Sequence, residues 1–228
     1  DPGAVAPHGI APVHALPGVG RNLHDHPLVE LDLAGSDEPR GAIARAVAVG
    51  FVPEEQTLGK LRSSRASGPY DLHLIPVAAP EHSLLAGRTL LAVGAMEPRS
   101  RGRLTLASAD PEVAPVMDHG YLSDPDGHDL AVLVEGIGLA RELAATEPLR
   151  SLVGAERAPG AAADLEKAIR QTHVHYYHPV GTCSLGRADD PLAVCDARGR
   201  LHGLERIVVA DCSLMPVVPR ANIEMIEE

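Results

Sequence analysis

The segment His173–Cys183, HVHYYHPVGTC, places three of the chain's 12 histidines and two of its 4 tyrosines within six residues. With one Phe and no Trp elsewhere, that pairing of tyrosines in a polar run concentrates scarce side chains. Three chemistries compete for it. The rings can form a polar packing layer, each satisfied by backbone groups. They can ligate a metal: in an extended chain His173 and His175 share a face and His178 has the opposite parity, but no matching Cys or carboxylate spacing accompanies them. They can also do acid–base work, since imidazole titrates nearest neutral pH. His178 is the candidate for that role because it directly precedes Pro179-Val180-Gly181-Thr182. Proline fixes the backbone there, and glycine lets a flat ligand approach closely.

The elements that must position this segment follow from periodicity. Residues 28–33 (LVELDL) alternate apolar and acidic side chains, as a strand with one wet face does. Residues 42–52 read as a strand from their Val alternation, and 53–69 as a long loop. Residues 70–78 and 89–97 read as strands, the second fully buried, and 100–111 as a turn and another strand. The strongest helix spans Asp126 to Ala145, with Asp126 as N-cap, apolar residues at 130, 133, 134, 137 and 143, and Pro148 just beyond. A second helix is expected over 163–172, and a short buried strand over 206–211. Strands and helices without regular βαβ alternation place the middle of the chain in the α+β class.

Composition bounds the partners. The 228 residues suffice for one large domain or two modest ones. A formal charge of −11 repels phosphate backbones and anionic membrane surfaces, so nucleic acid is not expected as a partner. No apolar run is long enough for a membrane span. The opening DPGAVAPHGI has no Met and no basic-then-apolar pattern, so it reads as mid-chain loop and not as a signal peptide. Cys183, Cys195 and Cys212 lack CxxC spacing and read as inert, reduced thiols in a cytoplasmic setting.

Three blocks, in order, resemble the glucose–methanol–choline (GMC) flavoprotein oxidoreductases. They are LPGVGRNLHDHP (16–27), the stretch from EPRSRGRL through ARELAAT (97–146), and YHPVGTCSLG (177–186) followed by VCDARGRLHGLERIVVADCSLMPVVPRAN (194–222). Residues 34–70 carry the least of it. The resemblance implies an FAD enzyme that oxidises a small-molecule alcohol: a histidine takes the hydroxyl proton while hydride passes from the same carbon to flavin N5. His178 matches that histidine, and Asn222 stands where its partner, a His or Asn, would hydrogen-bond the substrate oxygen. A helix N-cap is the structural alternative for Asn222. Asp211 and Ala210 match a flavin contact near the ribityl–phosphate region, with a strand-end acid as the plain alternative for Asp211. The resemblance places Asn22, Asp25 and His26 close to the flavin, as organisers of their loop first and contacts second. Tyr177 and Val180 are implied to line the reaction cavity, Tyr177 toward substrate and Val180 toward cofactor. Arg101 and Gly102 are implied to fix a turn.

The same resemblance divides the chain. Residues 1–27 end a flavin-domain segment, 28–185 form the substrate-binding domain, and 186–228 return to the flavin domain. The expected fold is thus α+β, with a mainly antiparallel substrate-domain sheet backed by helices and terminal segments of an incomplete α/β FAD-binding domain. The family's G-x-G-x-x-G turn for the pyrophosphate has no match. The nearest string, GVGRNL, lacks the third glycine and a preceding strand. An amino-terminal FAD-binding segment is therefore an expected partner. The alternative is a non-catalytic remnant of the fold that holds no flavin. Few aromatics remain for a cation–π cage, which disfavours a quaternary-ammonium substrate.

Overall fold

The computed structural model describes residues 1–35, 37–50, 57–78 and 88–223. In chain order the elements are α1 (Pro2–Val5), β1 (Arg21–Leu23), β2 (Pro27–Gly35), α2 (Asp37–Val47), β3 (Gly59–Leu61), β4 (Leu72–Ala78), β5 (Thr89–Ala95), β6 (Gly102–Thr105) and β7 (Val116–Asp118). They continue with α3 (His128–Ala144), α4 (Leu149–Leu152), β8 (Val153–Ala158), α5 (Leu165–Thr172) and β9 (Val174–His175), with 3-10 turns at Ala6–His8 and Cys212–Leu214. The chain divides into two compact units. Unit 1 comprises Asp1–His26, Glu97–Asp126 and Tyr177–Glu228; unit 2 comprises Pro27–Met96 and Gly127–Tyr176.

Unit 2 is an antiparallel sheet in the order β3-β4-β5-β2-β8, with β9 also pairing β2. Its central strand β5 is buried from Leu90 to Ala95, and β2 alternates buried Val29, Leu31 and Leu33 with polar residues, as the alternation in LVELDL predicts. The acids on the other face of β2 are matched: Arg88 pairs with Glu30 and Asp32, and Arg157 also reaches Asp32. α3 packs against this sheet through Leu130, Leu133, Ile137 and Ala140. Gly136 lets the helix approach closely, since a Cβ there would lie 2.5 Å from Val93 Cγ1. Leu143, read as part of that apolar stripe, is 40% exposed. Among the described residues, no helix is long and apolar enough to cross a membrane.

Unit 1 holds a smaller antiparallel sheet, β1-β6-β7, and a set of isolated bridges. The mainly antiparallel sheet backed by helices matches the expected α+β fold.

Four local expectations need correction. Residues 42–47 are helical, within α2, and not a strand; the alternating alanines Ala42, Ala44 and Ala46 are strong helix formers, and they outweigh the valines. Residues 51–52 of that stretch lie outside the described residues. The stretch expected as a long loop over 53–69 contains β3, which pairs with β4, and its residues 53–56 lie outside the described residues. Asp126 does not cap α3; the cap is Gly127 at φ 60, while Asp126 stands exposed 3.9 Å from Arg99. Finally, 206–211 forms no ladder: Val208 makes one bridge, to Arg200, and Ile207 and Val208 are 49% and 57% exposed. An apolar run becomes a buried strand only where neighbouring strands cover it, and none of the described residues ladders onto this one.

Candidate active site

The site is built in unit 1 where two extended segments meet. His24 and Val180 form an antiparallel bridge, with His24 N–H donating to the Val180 carbonyl (3.2 Å) and Val180 N–H to the His24 carbonyl (2.9 Å). Gly181 permits this approach. It sits at φ +95, and a Cβ there would lie 2.3 Å from the Asn22 carbonyl oxygen. The glycine of HPVGT thus serves a close backbone contact within the protein, a use that its expected role toward a flat ligand did not include.

Asp25 ties the segments together. Its Oδ1 accepts the backbone N–H of His26 (2.7 Å) and of His178 (3.0 Å), and its Oδ2 accepts the Tyr121 hydroxyl (2.8 Å). His26 Nδ1 lies 3.0 Å from His178 Nδ1, with the two rings edge to face at 5.2 Å between centroids. Asp25, His26 and His178 are 1%, 0% and 2% exposed. Burial first, and then the nearby Asp25 charge, raise the Tyr121 pKa far above the usual phenol range, so this hydroxyl keeps its proton and donates. The Tyr121 ring stacks on His119 with centroids 4.9 Å apart.

Ligand atoms of Asp25, His26 and His178 lie within 4.8 Å of one another, close enough to hold a metal. The donors favour a hydrogen-bond net instead: both Asp25 oxygens already accept N–H or O–H groups, and the two Nδ1 atoms face each other. Of the triplet weighed from sequence, His178 alone belongs to this group of the described residues. His173 Nδ1 reaches the Ile169 carbonyl of α5, His175 is exposed on β9, and both belong to unit 2. His178 belongs to unit 1.

The remaining predicted residues lie in the same unit. Asn22 is fully used as an organiser: its Nδ2 donates to Ser184 Oγ (2.9 Å) and the Pro216 carbonyl (3.1 Å), and its Oδ1 accepts from Arg101 Nε (2.8 Å). Arg101 also donates to the carbonyls of Pro98 and Ser100, which fixes its turn. Val180 is buried with Cys212, Val218 and Ile223, the residue after Asn222. Asn222 is half-buried, and its loop is tethered by an ion pair between Arg220 and Glu97. Asp211 caps the Cys212–Leu214 turn through Ser213 N–H (2.8 Å), and both it and Ala210 are exposed. Tyr177, at φ 63, is 73% exposed. A cleft of about 670 Å3 is lined by Arg21, Asn22, Arg101, Asp118 and Leu192. Burial raises the Cys183 and Cys195 pKa values, as inert thiols require. Tyr121 went unnoticed in the sequence, although its scarcity as a tyrosine was a usable signal.

His24 offers a stability test. Its Nε2 accepts Val218 N–H (3.0 Å), so Nδ1 carries the proton and donates to the Asn22 carbonyl (2.7 Å). Burial, aided by Arg101, lowers its pKa from 6.5 to about 4. The unfolded state then binds more protons between those values, so stability is complete above about pH 6.5 and drains as pH falls toward 4. The gap corresponds to about 3 kcal/mol. Urea unfolding at pH 7 and pH 4 is expected to show a smaller acid loss for His24→Gln than for the parent. Equal losses would rule out His24 as the titrating group.

Comparison with known proteins adds the family. A sequence model described as "GMC oxidoreductase" matches residues 98–226. Choline oxidase of Arthrobacter globiformis is 34% identical over 98% of this chain and 42% of its own length. An oxygen-dependent choline dehydrogenase of Chromohalobacter salexigens is 32% identical over 94% of this chain and 42% of its own. The chain thus spans under half the length of these relatives. A solved formate oxidase from Aspergillus oryzae, studied for FAD modification, superposes with a TM-score of 0.82 at 22% identity, over 98% of this chain and 48% of that one. With a family model covering more than half of the chain, and relatives above 30% identity along nearly all of it, the chain belongs to the GMC oxidoreductase family and represents its carboxyl-terminal portion.

Proposed function

We propose that this chain supplies the substrate-facing part of an FAD-dependent oxidoreductase that oxidises an alcohol, with His178 as the base that accepts the hydroxyl proton. One observation carries this most: a buried imidazole whose backbone and ring are both fixed, by Asp25 and His26. A base works best when it is held still beside the proton it takes.

The residues present fit part of a flavin site. Ala210 and Asp211 stand exposed at the end of the exposed apolar run Ile207–Val208, a surface suited to a cofactor and the segment that carries it. Val180, beside His178 in sequence, would lie toward the cofactor, and Asn22 would shape the adjoining loop. Bound flavin supplies the hydride-accepting chemistry. His178 holds the proton, Asn222 orients the substrate oxygen, and Tyr177 offers its ring to the substrate. The amino-terminal FAD-binding segment is a required partner in this scheme.

The test is anaerobic mixing of the flavin-loaded protein, completed by that segment, with a panel of primary and secondary alcohols. Choline belongs in the panel because two relatives are named for it. Loss of the oxidised flavin absorbance with at least one alcohol is expected. An oxidised spectrum that persists with every alcohol, or a completed protein that stays colourless with added FAD, would favour the non-catalytic remnant.

A further inference from the structure

Two buried histidines meet through like atoms: His26 Nδ1 and His178 Nδ1 lie 3.0 Å apart. A neutral imidazole has one N–H and one bare nitrogen, so a contact of this kind holds a single proton between the rings. If the proton sits on His178 Nδ1, the Nε2 of His178 is bare and can act as a base. If it sits on His26, the Nε2 of His178 already carries a hydrogen and cannot accept another. The bridge therefore selects the working tautomer.

We propose that His26 is a positioning residue for His178, accepting the His178 Nδ1–H and leaving Nε2 of His178 as the proton acceptor. This rests on the assignment of His178 as base. In the step itself the substrate O–H bond breaks, its proton goes to His178 Nε2, and the bridging proton stays on His178 Nδ1. The bridge then becomes a charge-assisted and stronger hydrogen bond. A second proton on the pair would set two N–H groups against each other across 3.0 Å, so the pair takes up one proton only. Among the described residues, polar groups near the pair include Asp25, bound to both backbones, Tyr121, bound to Asp25, and His119, stacked on Tyr121. His24 lies two residues from His26 with its own nitrogens engaged elsewhere.

Histidine-selective 15N NMR of the flavin-loaded protein reads the tautomer directly. A protonated Nδ1 and a bare Nε2 on His178 are expected; the reverse pattern would overturn the proposal. Two variants add a functional readout. His26→Leu removes the acceptor and is expected to slow flavin reduction on the order of 10- to 100-fold, the scale seen when a partner orienting a working histidine is lost. It is also expected to move the acid limb of the pH–rate profile. His26→Asn keeps an oxygen acceptor near the Nδ1 position and is expected to restore most of the rate and the Nδ1–H signal. A leucine variant whose pH profile and His178 tautomer match the parent would refute the proposal. Should the leucine variant not fold, the parent spectrum and the asparagine variant decide. A fast His178→Ala protein would instead defeat the base assignment, whereas a slow one beside an unaltered leucine variant would defeat only the role of His26.

Discussion

Replacing His178 by alanine is expected to slow anaerobic flavin reduction by about 10²–10⁴-fold, the usual contribution of a positioned general base. Substrate binding should change far less, because in the proposed scheme Asn222 still holds the substrate oxygen. The neighbouring groups substitute poorly: the Asp25 oxygens are occupied by N–H and O–H donors, Tyr121 keeps its proton, and the His26 ring meets His178 at Nδ1, away from the Nε2 assigned to the substrate. The loss should therefore appear in the reductive rate constant at saturating alcohol. It should also shrink as pH rises, where the substrate alkoxide becomes more available. The flavin spectrum before mixing serves as the structural control. A His178→Ala protein that reduces its flavin within a factor of about three of the parent would fall far short of a general base's contribution, and it would remove His178 from the chemistry.

Much of this arrangement was legible in the sequence, for identifiable reasons. The strands of unit 2 announced themselves because β2 buries alternate residues and β5 buries a continuous run; the first pattern belongs to a strand with one wet face and the second to a strand covered on both. α3 was visible through Leu130, Leu133 and Ile137, which return at helical spacing. The errors arose where a local pattern was ambiguous. An alanine-rich stretch with interspersed valines suits either regular structure, and in α2 helix propensity prevailed. The run from Arg206 to Asp211 has a strand's composition, but a strand needs partners that local composition does not supply.

The site was legible as residues and not as a network. His178 stood out by its neighbours Pro179 and Gly181, yet the group that holds it comes from a loop 153 positions away in sequence. Asp25 and His26 were read as loop organisers. Their contact with His178 depends on a bridge between His24 and Val180 that no periodicity reveals. Tyr121 lies a further 96 positions from Asp25, in a block that carried the resemblance to the family but no visible chemistry. Long-range convergence of this kind is a property of topology, and one sequence without relatives does not encode it in any local signal.

Asp25→Ala is the substitution with the largest expected cost to stability. It leaves two buried backbone N–H groups, those of His26 and His178, and the Tyr121 hydroxyl without their common acceptor. An orphaned buried donor costs roughly 1–3 kcal/mol, and here three donors lose one acceptor. Whole domains are stable by only about 5–15 kcal/mol, so a loss on the order of 3–5 kcal/mol, summed over those donors, would consume much of what holds unit 1 together. Asp25→Asn separates charge from geometry. Its carbonyl oxygen can still accept both backbone N–H groups, and the Tyr121 hydroxyl can rotate to accept from the amide. The asparagine variant should therefore lose well under half of what the alanine variant loses, while Tyr121→Phe deletes one donor and leaves the Asp25 bonds to His26 and His178 in place. Urea unfolding of the three proteins, followed by a probe in unit 1, orders them as alanine least stable, then asparagine and phenylalanine, then parent. If the alanine variant stays within about 1 kcal/mol of the parent, the cost of a single net hydrogen bond, the carboxylate is not the tie between the two histidine segments. The position of His178 would then need another cause.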